Sequence, residues 1–324
     1  PSHHFSSLKK KLMLYSHILC MLGLGLLLTS SLAFSPPLSF SASSRQAAIT
    51  RVYSRDPMPP SVLRNTVHET KHTVLAYDLF TPPKPKATIV YLPCLFRSKN
   101  SAKSANLLQF AKRKGVGFVS ADYHGVGRSS GTFQDASLSI WKEDCISLLE
   151  SLEGERYTLV GAGVGSWVSL LVARDRPDLV QGVVGMSCDP DFTEDLLWEG
   201  LKEEDKAEIM EKGVKVIEWG GTEYPISRAL IEDGRDNLIM RGGPNSVKID
   251  CPVRLIHGLS DPEVPISTPL ALVSCLTSSD CSLTLRKGGT HQLDDEEDMS
   301  TMRRCVEEVV EGGVGYDLTS PASG

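Results

Sequence analysis

The chain has 324 residues, of which 41% are hydrophobic and 23% are charged, and its formal net charge is −6. This composition is typical of a globular protein with a sizeable core, and the acidic balance argues against a surface that binds nucleic acid. The eight cysteines include no C-x-x-C pair and no metal-type spacing. We therefore expect free thiols in a reducing compartment, no metal site and no cofactor.

The first 33 residues (1–33) have the pattern of a signal peptide. Three lysines at 9–11 precede an apolar run, Leu12–Leu28, and the small residues of "TSSLA" follow it as a cleavage site. The uninterrupted apolar part is short for a membrane span. We expect no permanent span in the mature chain, and a single anchor helix is the alternative.

Residues 34–60 form a transit-like segment. They are rich in Ser, carry Arg and contain no acidic residue before Asp56, which is the composition of a transit peptide. A signal peptide followed by a Phe-led transit segment resembles the two-part address of proteins sent to plastids of secondary origin, and "LAF" at Leu32–Phe34 is similar to its cleavage motif. We expect an organellar location, most simply such a plastid, with the secretory pathway and the mitochondrion as alternatives.

From residue 65 to 311 the patterns of strands and helices alternate. Buried β-branched runs indicate the strands, and Ser at the start with Gly or Pro at the end delimits several helices. Strands are predicted at 72–80, 87–93, 116–123, 157–163, 180–188, 251–258 and 281–289, and helices at 101–115, 137–152, 166–178, 267–276 and 295–310. This alternation predicts an α/β protein with a mostly parallel central sheet and helices on both faces.

Two stretches depart from the alternation. Residues 189–248 are charged, Gly-rich and poor in strand signals, so we interpret them as an insertion with some helix at Glu203–Lys212. Residues 312–324 have the composition of a loose tail.

Ligands of parallel α/β sheets bind at the carboxyl ends of the strands, so the residues after each strand are the candidates for a site. The strand that begins at Tyr157 runs into a glycine-rich turn, Gly161–Gly165. Asp261 follows a later strand, and His291 follows the last one. Turn, acid and histidine is the chain order of the catalytic triad in the α/β-hydrolase fold.

Several strand-end motifs together resemble one α/β-hydrolase subfamily. They are "YLP" with its loop, "DYHGVGRSSG", "SIWKEDCISLLESL", the turn ending in "GSW", "CPVRLIHGLSDPEVP" and "LRKGGTHQ". The subfamily is that of the mitochondrial palmitoyl-protein thioesterase, also described as an acyl-glucuronide esterase. The resemblance extends over roughly Thr73 to Val310 and implies the α/β-hydrolase fold, with a small lid inserted after the sixth strand.

The resemblance also implies roles for single residues. Asp261 is expected as the triad acid and His291 as the general base. The backbone N–H groups of Leu95 and Val164 are expected to form the oxyanion hole. The position of the nucleophile falls on Gly163, which has no side chain.

Two departures from the family pattern bear on the reaction. Gly163 replaces the serine that forms the acyl-enzyme, and Cys94 replaces a glycine of the oxyanion loop. We therefore expect a pseudoenzyme of hydrolase descent, impaired in turnover, that binds a small acyl ester, an acyl thioester or an S-acylated protein. The alternatives are an active esterase or thioesterase with a relocated nucleophile, Cys94 or Ser166, and a non-enzymatic interaction protein that uses the 189–248 insertion.

Four other polar residues invite a functional interpretation. His257 lies inside a predicted strand, and His124 lies in a Gly-rich loop, so we expect structural roles for both. Asp189 and Asp191 follow a strand at which some hydrolases place their triad acid, and they remain alternatives to Asp261.

Overall fold

The structure is a computed structural model that describes residues 63–154, 156–219 and 221–312. The strands of these ranges are β1 (Arg64–Glu69), β2 (Val74–Phe80), β3 (Thr88–Leu92), β4 (Gly117–Ala121), β5 (Tyr157–Ala162), β6 (Val180–Met186), β7 (Val214–Trp219), β8 (Thr222–Ser227), β9 (Val253–Gly258) and β10 (Cys281–Arg286). The helices are α1 (Ala102–Lys114), α2 (Leu138–Ser151), α3 (Val164–Asp175), α4 (Glu203–Lys212), α5 (Arg228–Asp236), α6 (Ser267–Cys275) and α7 (Glu296–Gly312). Short turns of other helix types lie at Phe133–Asp135, Thr193–Trp198 and Met240–Gly242.

Eight strands form one sheet in the order β1-β2-β4-β3-β5-β6-β9-β10. β2 is antiparallel to both of its neighbours, and every pair from β4 to β10 is parallel. Every residue of β4 and of β5 is buried, as expected for strands covered on both faces. The predicted, mostly parallel sheet is confirmed.

Helices cover both faces of this sheet. On one face α2 and α3 pack into a hydrophobic cluster that contains Trp141 and Trp167. On the other face α1 and α7 pack into a second cluster that contains Phe110 and Met302. The prediction of helices on both faces is therefore confirmed.

The ends of α1 show why the chain forms a helix there. Ser101 is extended, and its side chain accepts a hydrogen bond from the Ser104 N–H, so it caps one of the free N–H groups of the first turn. Gly115 ends the helix with φ +67°, a left-handed conformation that glycine adopts without a steric cost. Both signals are local, so the sequence predicts this helix to within a residue.

The insertion after β6 contains a hairpin that the sequence patterns did not predict. β7 and β8 pair antiparallel and form a two-stranded sheet of their own, and α4 and α5 flank them. The helix predicted at Glu203–Lys212 is confirmed as α4. β1 was also missed, because its polar residues form an exposed edge that pairs only with β2.

The predicted signal peptide (1–33), the transit-like segment (34–60) and the tail beyond residue 312 lie outside the described residues, so those three predictions remain predictions. Across the described ranges, the helices are all too short or too polar to span a bilayer.

Candidate active site

Four loops meet at the carboxyl ends of the parallel strands. They follow β3, β5, β9 and β10 and carry Cys94, Gly163, Asp261 and His291, respectively. Cys94, Gly163 and His291 line one small cavity of about 20 Å³, and Asp261 contacts His291 directly. The fold thus brings together positions that the sequence analysis placed after separate strands.

Asp261 and His291 form a hydrogen-bonded pair. His291 Nδ1 lies 2.9 Å from Asp261 Oδ2, and because a carboxylate only accepts, Nδ1 carries the proton. The other oxygen, Oδ1, accepts from the N–H groups of Glu263 at 2.8 Å and Val264 at 3.0 Å. Burial raises the pKa of Asp261, but the hydrogen bonds from His291 and Val264 outweigh it, and the net pKa lies below the usual range. The carboxylate is therefore charged and fixed in direction.

The second ring nitrogen of His291 faces the cavity. Glu263 Oε2 lies 4.0 Å from Nε2, and Cys94 lines the same two small cavities as His291. Burial lowers the pKa of His291, but the hydrogen bond with Asp261 and the neighbouring Cys94 and Asp189 oppose it, and the result is a pKa of about 11. Acceptors on both sides of the ring thus favour the imidazolium form.

Gly163 forms the turn between β5 and α3. Its φ is 51° and its ψ is −123°, a region that side-chain-bearing residues enter only at a cost. The Gly163 N–H donates to the Met186 carbonyl oxygen at 2.9 Å, and its own carbonyl accepts from the Ser166 N–H at 2.8 Å. The turn is therefore held from both sides in a conformation that glycine adopts without a steric cost.

The Cys94 thiol occupies the space in front of Gly163. A Cβ built on Gly163 would lie 2.5 Å from Cys94 Sγ and 3.6 Å from Cys94 Cβ. Because non-bonded carbon atoms normally approach to 3.5–4.0 Å, the sulfur and a side chain at 163 exclude each other. Positions 94 and 163, which the sequence analysis treated as separate changes, are therefore adjacent in space.

Two backbone N–H groups near this turn are the expected oxyanion donors. Val164 is the first residue of α3, so its N–H belongs to the donors that a helix leaves without an intrahelical partner. Within the described ranges, no backbone hydrogen bond is recorded from the Leu95 N–H. Leu95 lines the cavity beside His291. The roles expected for these two groups as an oxyanion hole remain a prediction.

A second carboxyl group, Asp189, lies against the cavity. Its Oδ2 is 3.8 Å from the position of a Cβ on Gly163, and its buried Oδ1 has no hydrogen-bond partner among the described residues. Burial raises the pKa of Asp189 to about 8, and the nearby His291 moderates the increase. Sequence patterns gave no indication of this environment, which depends on the loop after β6.

The insertion supplies part of the cavity wall. Phe192 and Tyr224 line the small cavity beside His291, and the Tyr224 ring packs edge-on against Phe96. Cys94 also borders an open cleft of about 750 Å³. The site is therefore narrow at His291 and opens past Cys94.

Comparisons with known proteins agree with this architecture. No protein-family model matches the chain. The bovine protein named palmitoyl-protein thioesterase ABHD10, mitochondrial, is 28% identical over 244 residues, which is 73% of this chain and 76% of the relative. Its mouse counterpart is 26% identical over 290 residues, which is 88% of this chain and 90% of the relative.

Solved structures of hydrolases also resemble this chain. A protein from Agrobacterium vitis S4 that is named as a hydrolase is 30% identical, has a TM-score of 0.71 and covers 78% of this chain and 100% of its own. The structure of alpha/beta hydrolase domain-containing protein 10 from mouse is 25% identical, with a TM-score of 0.68 and coverage of 78% and 99%. The chain has the α/β-hydrolase fold.

The other candidate residues in this α/β-hydrolase domain make contacts that fit structural roles. His257 is buried in β9, and His124 forms a hydrogen bond with Thr73 Oγ1 at 2.8 Å. Asp191 accepts from two N–H groups of the loop after α5, at 2.8 and 3.0 Å. The buried Ser166 hydroxyl donates to the Met186 carbonyl oxygen at 3.4 Å, so it does not face His291.

The described residues of the α/β-hydrolase domain contain no cluster of three or more His, Cys, Asp or Glu side chains that could hold a metal ion. Its seven described cysteines are free thiols.

Proposed function

We propose that the chain is a thioesterase-like hydrolase whose pocket accepts an acyl ester or acyl thioester but lacks the serine that would attack it. The observation that carries the proposal is the His291–Asp261 pair, which lies beside the Gly163 turn with its 2.9 Å hydrogen bond intact. The relatives' names, palmitoyl-protein thioesterase, support an acyl substrate.

Gly163 occupies the nucleophile position in this proposal. Its place between β5 and α3 and its positive φ are those of the sharp strand-to-helix turn that presents the nucleophile in α/β-hydrolases. Without a hydroxyl at 163 there is no proton for His291 to remove there, and no acyl-enzyme forms at this residue. Loss of the serine in such enzymes costs on the order of 10⁶-fold in turnover and leaves about 10³–10⁴ over water. We therefore expect impaired hydrolysis of oxygen esters.

The backbone N–H groups of Leu95 and Val164 form the oxyanion hole in this proposal. A carbonyl oxygen between them gains charge as the tetrahedral intermediate forms, and fixed donors stabilise that charge. The position of Val164 at the N-terminus of α3 adds the favourable end of the helix dipole. These donors are backbone groups, so the loss of the serine does not remove them.

The insertion acts as a lid over this pocket. Phe192 and Tyr224 contribute apolar surface beside His291, which suits the acyl chain of a small ester, a thioester or an S-acylated protein. The alternative, an interaction protein that binds through the insertion, stays a prediction. Deletion of the β7–β8 hairpin that abolishes a protein contact but leaves acyl binding intact would favour that alternative.

We also propose an organellar location. The relatives are named as mitochondrial, which supports the mitochondrion among the alternatives. The two-part address that predicts a plastid lies in residues 1–60, outside the described ranges. A fluorescent protein fused after residue 60, imaged with markers of both organelles, distinguishes the two.

The experiment that tests the function is the restoration of the serine. Gly163→Ser alone would place its Cβ against Cys94 Sγ, so the informative variant is the double change Cys94→Gly/Gly163→Ser. We expect this variant to hydrolyse an unactivated alkyl ester roughly 100-fold faster than the wild type, because the base and the oxyanion donors are already in place.

His291→Ala in the double variant is the control and should remove the gained activity. Circular dichroism and urea unfolding establish that each variant is folded. A folded double variant that hydrolyses neither an alkyl ester nor an acyl thioester overturns the proposed function.

A further inference from the structure

We propose that the Cys94 thiol takes over the role of the missing serine and attacks acyl thioesters, with His291 and Asp261 completing a relocated catalytic triad. This inference rests on the proposed acyl pocket. It names the nucleophile of that pocket and the class of substrate that this nucleophile can use.

The first step of the argument is position. Sγ of Cys94 lies 2.5 Å from the place of a Cβ on Gly163, so it fills the volume in which a serine at 163 would carry its hydroxyl. The sulfur is attached to the neighbouring loop, after β3, instead of the turn after β5. In this proposal the nucleophilic atom is attached to the loop after β3, but it reacts at the same place as a serine at 163 would.

The second step is proton transfer. Nδ1 of His291 is engaged by Asp261 at 2.9 Å, so Nε2 is the ring nitrogen left to exchange a proton with the Cys94 thiol, which lines the same small cavities. The thiol and the imidazole therefore share one cavity, and the Asp261 carboxylate holds the imidazole through its other nitrogen. This is the arrangement in which a histidine holds the proton of a thiol while the sulfur attacks.

The third step is the access of a substrate to the thiol, which distinguishes Cys94 from the other described cysteines. It is partly exposed and borders both the cavity beside His291 and the open cleft of about 750 Å³. Cys281 is also partly exposed, but burial raises the pKa of its thiol, and its charged neighbours are Arg254 and Asp280 instead of a histidine. Cys281 therefore serves as a matched control.

The reaction balances without any further reagent except water. The proton of the Cys94 thiol resides on His291 Nε2 as Sγ forms a bond to the acyl carbon, and the C–S bond of the substrate breaks. The departing thiolate takes the proton from His291, which leaves an acyl group on Cys94. Water then attacks this acyl group, His291 receives the water proton and returns one to Sγ, and a carboxylic acid is released.

The leaving group decides the substrate class. When a thiolate attacks a thioester, the intermediate can expel either of two similar sulfurs, so acyl transfer is close to balanced. When it attacks an alkyl ester, the intermediate expels the thiolate, because an alkoxide is a much poorer leaving group. Cys94 therefore favours acyl thioesters, whereas the serine double variant also cleaves alkyl esters.

The experiment follows acyl transfer to the full-length protein. We incubate the wild type, Cys94→Ala, Cys94→Ser, His291→Asn and Cys281→Ala with a palmitoyl thioester, and we measure the adduct by intact-mass spectrometry and the released thiol by absorbance. We expect one acyl group on the wild type, removable by neutral hydroxylamine and mapped to Cys94 in a peptide digest. Thiol release should fall at least 100-fold in Cys94→Ala and in His291→Asn and stay unchanged in Cys281→Ala.

The outcomes separate this inference from the proposed function. Wild-type rates in folded Cys94→Ala overturn the role of Cys94, and wild-type rates in folded His291→Asn overturn the relocated triad if the alanine variant is unfolded. A wild type that neither acquires an adduct nor releases thiol, together with an active Cys94→Gly/Gly163→Ser variant, overturns the inference and leaves the acyl pocket. Inactivity of both proteins overturns both proposals.

Discussion

The contact between positions 94 and 163 can be measured as a coupling of free energies. Gly163→Ala introduces a Cβ at 2.5 Å from Cys94 Sγ but at 3.6 Å from Cys94 Cβ, so the sulfur alone is in the way. Overpacking of this kind costs about 1–3 kcal/mol, and a non-glycine residue at a strained positive φ costs about 1–3 kcal/mol. We expect the single variant to lose about 2–6 kcal/mol of unfolding free energy, the sum of these two costs.

Cys94→Ala removes the sulfur and keeps the Cβ at an ordinary contact distance. In the double variant Cys94→Ala/Gly163→Ala only the backbone strain at 163 remains. The two changes should therefore be non-additive by about 1–3 kcal/mol. Urea unfolding of the wild type, both single variants and the double variant gives this value. Additivity to within about 0.5 kcal/mol would refute the reasoning that Cys94 fills the space of a side chain at 163.

Three further predictions concern buried charge. The pKa of Asp189 is raised to about 8, so its contribution to stability is present below about pH 4 and is lost as the pH rises through about 8. Asp189→Asn should therefore be more stable than the wild type at about pH 9, but not at about pH 4, when both are unfolded in urea. The pKa of His291, about 11, gives a contribution that is present below about pH 6.5 and lost toward about pH 11. Between about pH 7 and 9 the unfolding free energy of the wild type should fall more steeply than that of His291→Asn, by up to about 1.4 kcal/mol per pH unit, and equal slopes contradict the assignment. Lys99 pairs with Asp78 at 2.6 Å with 2% of its side chain exposed, so Lys99→Met should cost about 3–5 kcal/mol. As the control, Lys71→Met breaks an exposed ion pair and should change the unfolding free energy by less than about 0.5 kcal/mol. Similar losses of stability in Lys99→Met and Lys71→Met would contradict the prediction for the buried Lys99–Asp78 pair.

Local patterns predicted most of the sheet. The strands from β3 to β6 are short, apolar runs. When such runs alternate with amphipathic helices, the chain buries its apolar residues by forming a parallel sheet with helices on both faces. The same patterns missed β1, which is polar because one edge of it faces solvent. They also missed β7 and β8, although the residues between Trp219 and Thr222 are Gly-Gly, a dipeptide typical of a two-residue hairpin connection. Charged residues on both strands concealed the alternation there.

By itself, the sequence determined the fold class, the position of Asp261 and His291 after the last two strands of the large sheet, and the absence of a hydroxyl at Gly163. These features depend on local periodicity and on residue identity, which can be read along the chain. Only the tertiary structure decided that the Cys94 sulfur lies in the space next to Gly163 and lines one cavity with His291, and that the Asp189 carboxyl is buried beside them. Such contacts join loops that are distant in sequence, and their distances depend on how neighbouring strands are paired and on the direction in which each loop points its side chain.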